Sequence, residues 1–368
     1  MGLFGGVSPA ESLCESLKKR EKFVEFDSVR GMASLVSAAY KLEPRLIGCV
    51  SGWNGKVQLP AGFSFKRTCQ VEIEYTPGIP DDYRDVIIDD GNWKPSDILK
   101  SGNDMPLCFH VITRDLGGVR TRFQNDMDYI TQVYPGTDGV KYNWYSDKSY
   151  DGYSYLQAEV SLPVDQQKYK QWEILAKREI ERIDRTCLGR SNRGIPSFVK
   201  AYLVFSYIQQ ECKYDNESAD LITAKGDVKL ERPYVVLPYG PLCKKMGICS
   251  GISTAYKAFM DYYGIECRIV SGTLDDVEHL WNIVKLNDKY YHVDCTYGMD
   301  GDGIYIGKFL RSDSEMSETH YWDMSRYPEC RSYSVDYDFV EEYVAEHYDA
   351  LLRYDIDQKY LSPCDVRE

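Results

Sequence analysis

Residues 247–272 read GICSGISTAYKAFMDYYGIECRIVSG. Ile252, Ala255, Tyr256, Phe259, Met260 and Tyr263 recur at the spacing of one helical face, and Gly264 stands where a helix ends. Cys249 therefore opens the predicted helix. The unpaired N–H groups and the dipole at a helix start favour an anion, so a thiol placed there gives up its proton more readily. Gly247 and Gly251 flank the cysteine and are expected to keep the approach to the sulfur open, with backbone N–H groups of the turn facing a developing oxyanion.

A thiol nucleophile needs a base. Residues 279–286, HLWNIVKL, and 289–296, KYYHVDCT, read as two strands joined at Asn287-Asp288 by a tight turn. If Leu286 faces Lys289, then His279 faces Thr296, and Asp294 is the diagonal neighbour of His279 on the same sheet face. A carboxylate there holds an imidazole in the tautomer that takes a thiol proton. Cys249, His279 and Asp294 thus read as nucleophile, base and orienting acid. Any one cysteine among twelve is more often a small buried apolar group. The helix start and the shared hairpin, taken together, favour chemistry.

The chain as a whole is ordinary globular material, 368 residues with 43% hydrophobic and 27% charged side chains, enough for roughly two domains. The 31 Tyr against 12 Phe predict tyrosine-rich seams whose hydroxyls want partners. With 44 basic and 57 acidic residues the net charge is -13, and no basic cluster marks a phosphate-binding face, so nucleic acid is not an expected partner. No stretch approaches the ~20 apolar residues that span a bilayer, and MGLFGGVSPAESLCESLKKRE lacks the pattern of a signal peptide. The expectation is a soluble, cytoplasmic chain with reduced thiols and no membrane partner, or a secreted one if a leader was trimmed.

The pattern divides into residues 1–164, an accessory α+β region with strand-like runs at Cys69–Tyr75 and Cys108–Thr113 and turns at PGIPDD, DDGN and SGND; residues 165–335, the catalytic core; and residues 336–368, a helix packing on the core. Asp165 to Cys187 spaces Tyr169, Trp172, Leu175, Ala176, Ile180 and Ile183 as a surface-lying amphipathic helix. A second helix opens near Pro196 with Phe198, Ala201, Tyr202, Phe205 and Ile208 on one face. The last helix carries Phe339, Val340, Tyr343, Val344, His347, Tyr348 and Leu351.

The motifs Gly247-Ile248-Cys249-Ser250-Gly251, Gly264-Ile265, His279-Leu280-Trp281-Asn282 and Val293-Asp294-Cys295-Thr296 stand in the order and spacing of the transglutaminase-like superfamily, which the chain resembles over about 196–330. Cys212-Lys213-Tyr214-Asp215 resembles the end of the family's helix before the nucleophile, and Phe309-Leu310 through His320 and Pro328 resembles the tail of bacterial members. Residues ahead of the core resemble the extension many bacterial members carry. The resemblance implies an α+β, papain-like core, with the nucleophile helix packed on an antiparallel sheet, and a Cys-His-Asp triad. Tyr239 is the upstream candidate for an extra oxyanion donor and Trp281 a pocket candidate. Ile252-Ser253 and Cys295 depart from the common pattern.

The chemistry so implied is thiol-dependent acyl transfer on a peptide or amide bond of a protein or peptide substrate, as in a cysteine peptidase or amidase. The alternatives are a cross-linking transglutaminase and a non-catalytic scaffold that keeps the fold. No cofactor is implied. Cys243, Cys249, Cys267, Cys295, His279 and His292 lack the short ligand spacings of a structural zinc site, and Asp300-Gly301-Asp302-Gly303 is not followed by the later ligands of a calcium loop. His292 shares the strand and face of Asp294 and reads as a structural histidine. Oligomeric state leaves no mark.

Overall fold

The computed structural model describes residues 8–26, 31–58, 68–77, 79–100, 106–137, 139–146, 152–189, 194–225, 230–299, 304–331 and 335–361. The chain divides into two compact units, residues 1–130 with 139–161, and residues 131–138 with 162–368.

In the first unit, Ser8 and Glu11 form a capping box that starts the helix Pro9–Lys18. Phe23–Phe26, Thr68–Tyr75 and Val50–Gln58 form an antiparallel sheet with Thr68–Tyr75 in the middle. Val86–Ile88, Cys108–Thr113, Ser154–Ser161 and Gly139–Ser146 form a second sheet in that order, its first pair parallel. Leu13, Leu17, Val36, Tyr40, Val71 and Ile73 are part of one buried core. At the DDGN turn the Asp89 and Asp90 carboxylates accept from the N–H groups of Gly91 and Asn92. The SGND turn, like residues 300–303, lies outside the described residues.

The second unit holds the residues singled out for chemistry. Helix α1 (Gln166–Thr186) is capped by Asp165 and turns Tyr169, Ala176, Ile180 and Ile183 inward, as its spacing predicts. Helix α2 (Ser197–Glu211) takes Pro196 as its N-cap, but it is not a one-faced helix: 11 of its 15 residues are buried. It runs through the centre of the core, where Phe205 meets Phe309, Tyr207 meets Phe259 and Tyr360, and Phe198 meets Phe339 and Tyr343. A helix enclosed on all sides is apolar all round, which is why Val199, Leu203 and Val204 break the single stripe.

Helix α3 (Cys249–Tyr262) ends at Gly264, whose φ of 69° is the left-handed conformation that closes a helix without a Cβ penalty. It packs on an antiparallel sheet of β1 (Cys267–Leu274), β2 (Val277–Leu286), β3 (Lys289–Val293), β4 (Phe309–Arg311) and β5 (His320–Trp322), ordered β4-β3-β2-β1-β5. The fold is α+β. Asn287 and Asp288 both have positive φ, as do Asp275 and Asp276 in the preceding hairpin turn. These are two-residue turns whose twist matches paired strands, and Asn and Asp tolerate that backbone better than most residues. The register runs from Leu286↔Lys289 to Asn282↔Val293, as the turn position predicts.

The last helix is broken. Tyr337–Glu346 and Tyr348–Leu352 are separate, because His347 leaves helical geometry, donates its N–H to the Tyr343 carbonyl and stacks its ring on Tyr343 at 4.1 Å. Val340, Val344 and Leu351 still reach the core. Among the described residues no helix is long and apolar enough to cross a membrane.

Candidate active site

Cys249 is the first residue of α3. Ile248 before it is extended and offers no side-chain cap, so the helix start carries no internal acceptor that would compete with an incoming anion. The Ile248 N–H is held by the Val235 carbonyl at 3.0 Å. The flanking glycines also serve packing. A Cβ on Gly251 would stand 2.1 Å from the Val235 carbonyl oxygen, and one on Gly247 would stand 2.7 Å from Cγ of Pro241. Both glycines allow close packing at the helix start, Gly251 against the Val235 backbone and Gly247 against the Pro241 ring.

Tyr214 is a neighbour that sequence reasoning did not assign. Lys213–Tyr214 pairs in parallel with Met246–Gly247, Tyr214 opposite Gly247. This places its phenol in hydrogen-bonding contact with both the backbone and the side chain of Cys249. Burial first, then the negative charge of the nearby thiolate, push the phenol pKa well above its usual range.

His279 Nε2 lies 2.9 Å from Asp294 Oδ2. The other carboxylate oxygen, Oδ1, accepts from the N–H of Thr296 at 2.8 Å and from its hydroxyl, which is also 3.2 Å from His279 Nε2. The imidazole is therefore turned so that Nε2 meets the carboxylate, leaving Nδ1 for the thiol. Burial opposes charge on His279, but the Asp294 carboxylate, by charge and hydrogen bond, and then the hydrogen bond with Cys249, push its pKa up to about 10. Burial would also raise Asp294; His279, His320 and Thr296 outweigh it and hold the carboxyl far below the usual range.

A second layer lies beneath. Asp294 Oδ2 also takes His320 Nε2 at 3.1 Å. Trp281, expected to line a pocket, is fully buried, its ring stacked on His279 at 6.0 Å. Its Nε1 donates to His292 Nδ1 at 2.9 Å, and His292 Nε2 meets Asp313 Oδ1 at 2.9 Å. His292 is thus a buried structural link holding the indole. Tyr239 stacks on Trp172, 5.0 Å apart and nearly parallel, beside a cavity of about 590 Å³.

Among the described residues, two groups bring three ligand atoms together, His279 with Asp294 and His320, and His292 with Asp313 and Cys330. Hydrogen bonds account for both groupings. In the first, both Nε2 atoms approach one carboxylate oxygen at donor–acceptor distance, so protons occupy the space between them. In the second, the Trp281 donor takes the Nδ1 lone pair of His292, so Nε2 carries the proton and has no lone pair for a metal. Burial pushes the thiols of Cys212 and Cys243 up, to about 12 and about 11, which makes these two poor nucleophiles.

A cysteine at a helix start beside an imidazole–carboxylate pair on an antiparallel sheet defines the thiol-enzyme class of fold. Residues 191–295 match the model of the Transglutaminase-like superfamily. No protein of curated function matches the chain. Among solved structures, one described as a TGase is 14% identical, with a TM-score of 0.30, over 67% of this chain and 65% of its own. A proposed cysteine protease from Cytophaga hutchinsonii is 11% identical, with a TM-score of 0.25, over 43% of this chain and 62% of its own. The chain thus spans somewhat under two thirds of either protein.

Proposed function

We propose that this protein is a thiol-dependent acyl-transfer enzyme that cleaves a peptide or amide bond through Cys249, His279 and Asp294. One observation carries the reading: the same buried imidazole that meets Asp294 at 2.9 Å through Nε2 also has Cys249 as a hydrogen-bond partner. His279, its pKa pushed up to about 10, holds the thiol's proton as an imidazolium, and the Cys249 thiolate attacks the substrate carbonyl. The resulting S–C bond replaces the C–N bond, and the imidazolium returns the proton to the leaving amine. Asp294 keeps the ring oriented and stabilises its cationic form. The N–H groups of the α3 first turn favour the oxyanion. Water then resolves the thioester, with His279, neutral once it has given up its proton, as base.

The test is a peptide library incubated with the full chain, with intact-mass detection of a thioester on Cys249 and of released product. The expected result is a transient acyl adduct that vanishes in Cys249→Ala. A folded wild-type sample indistinguishable from Cys249→Ala in adduct and product would overturn the reading. Resolution by an added primary amine in preference to water would replace hydrolysis by cross-linking.

A further inference from the structure

Oδ2 of Asp294 serves two imidazoles, His279 Nε2 at 2.9 Å and His320 Nε2 at 3.1 Å. The rings stand 5.5 Å apart at 56°. His320 opens β5, opposite Leu274 of β1, and is 2% exposed. Its orientation is fixed by Thr319 Oγ1 at 2.8 Å from Nδ1 and by the edge of Trp281 at 4.9 Å. A carboxylate oxygen only accepts, so both Nε2 atoms present a proton to it.

We propose that His320 is a positioning residue of the acyl-transfer site: it gives a second N–H to the carboxylate oxygen that orients His279, and so limits how tightly Asp294 holds the His279 imidazolium. The inference rests on the acyl-transfer reading. An oxygen that shares its charge between two donors binds each less strongly. His279 must both gain the thiol proton and lose it to the leaving amine, and a carboxylate that held the imidazolium too firmly would hinder the second step. Thr296 satisfies the other oxygen, Oδ1, so without His320 the whole demand of Oδ2 would fall on His279.

Other ionisable groups face the pair, and one of them, His292, feels the charge of His320. They are Cys249 and Tyr214 at the helix start, His292 on β3, and Tyr297 beyond it. Lys308 lies near Asp294, its carbonyl taking the Asp294 N–H at 2.9 Å, and both Asp294 and Glu318 act on its charge. Asp275 adds its charge near Tyr297.

The chain has five histidines, so nitrogen-15 imidazole spectra of the full protein can be assigned by substitution. In a Cys249→Ala background, which removes the thiol from the titration, His320→Phe should raise the His279 midpoint by about one pH unit. His320→Gln, which keeps an N–H donor, should return most of that shift. An unchanged His279 midpoint in folded His320→Phe overturns the inference. If that variant does not fold, the parent spectrum decides: a proton on Nε2 of both His279 and His320 is expected, and a bare Nε2 on His320 overturns it. Alkylation of wild-type Cys249 keeps the failures apart. A reactive Cys249 with no midpoint shift removes only the role of His320, whereas a shift with an inert Cys249 removes the acyl-transfer reading on which that role depends.

Discussion

Val235 fixes where Gly251 can lie: its carbonyl oxygen would stand 2.1 Å from a Cβ on that glycine. The same oxygen accepts the Ile248 N–H at 3.0 Å, so one backbone group secures the start of the nucleophile helix. Gly251→Ala must displace either the helix start or the Val235 segment. The expected cost is about 1–3 kcal/mol in chemical denaturation, with slower alkylation of Cys249. Full wild-type stability in this variant would mean that the two segments are not packed this closely in solution.

The phenol of Tyr214 contacts Cys249 through both backbone and side chain. An O–H that donates to sulfur favours the thiolate. In Tyr214→Phe the rate of Cys249 carboxymethylation, plotted against pH, should move to higher pH by about half a unit to one unit. A superimposable profile would leave the hydroxyl without a role at the thiol.

The imidazole–carboxylate pair also predicts a pH dependence of stability. His279 is raised from 6.5 to about 10, so the stability it contributes is fully present below about 6.5 and is lost as pH rises through about 10. Asp294 is lowered, so its contribution is present above about 4 and is lost as pH falls. The difference in thermal midpoint between wild type and His279→Gln should be largest between about pH 4 and 6.5 and should shrink toward pH 10. A difference that stays constant from pH 5 to 10 would contradict the charged pair.

Phe205, fully buried in α2, packs against Phe309 at 4.8 Å between ring centroids. Phe205→Ala should cost about 3–5 kcal/mol in equilibrium unfolding, through lost burial and the cavity left behind. A loss near 1 kcal/mol would place α2 at a surface.

What the sequence revealed was what local spacing can encode. The strand register follows from a two-residue turn, so His279 and Asp294 could be brought together on paper before any coordinates. Cys249 is found by where an apolar helical stripe begins. Tyr214 and His320 lie on strands of two and three residues, too short for any periodicity, and each meets the site only through tertiary pairing. The motif resemblance included both positions without giving either a task. The all-round burial of α2 left no single stripe to read, and Gly247 and Gly251 showed that a glycine beside a nucleophile can serve the packing behind it.

The central claim is that Cys249 is an activated thiol. Brief exposure of the native full chain to iodoacetamide at pH 6.5, quenched and mapped peptide by peptide, tests it directly. Cys249 should be alkylated at least about tenfold faster than every other cysteine, and the preference should collapse in His279→Gln. Labelling of Cys249 no faster than the partly exposed Cys187, or a preference that survives loss of His279, would contradict the account.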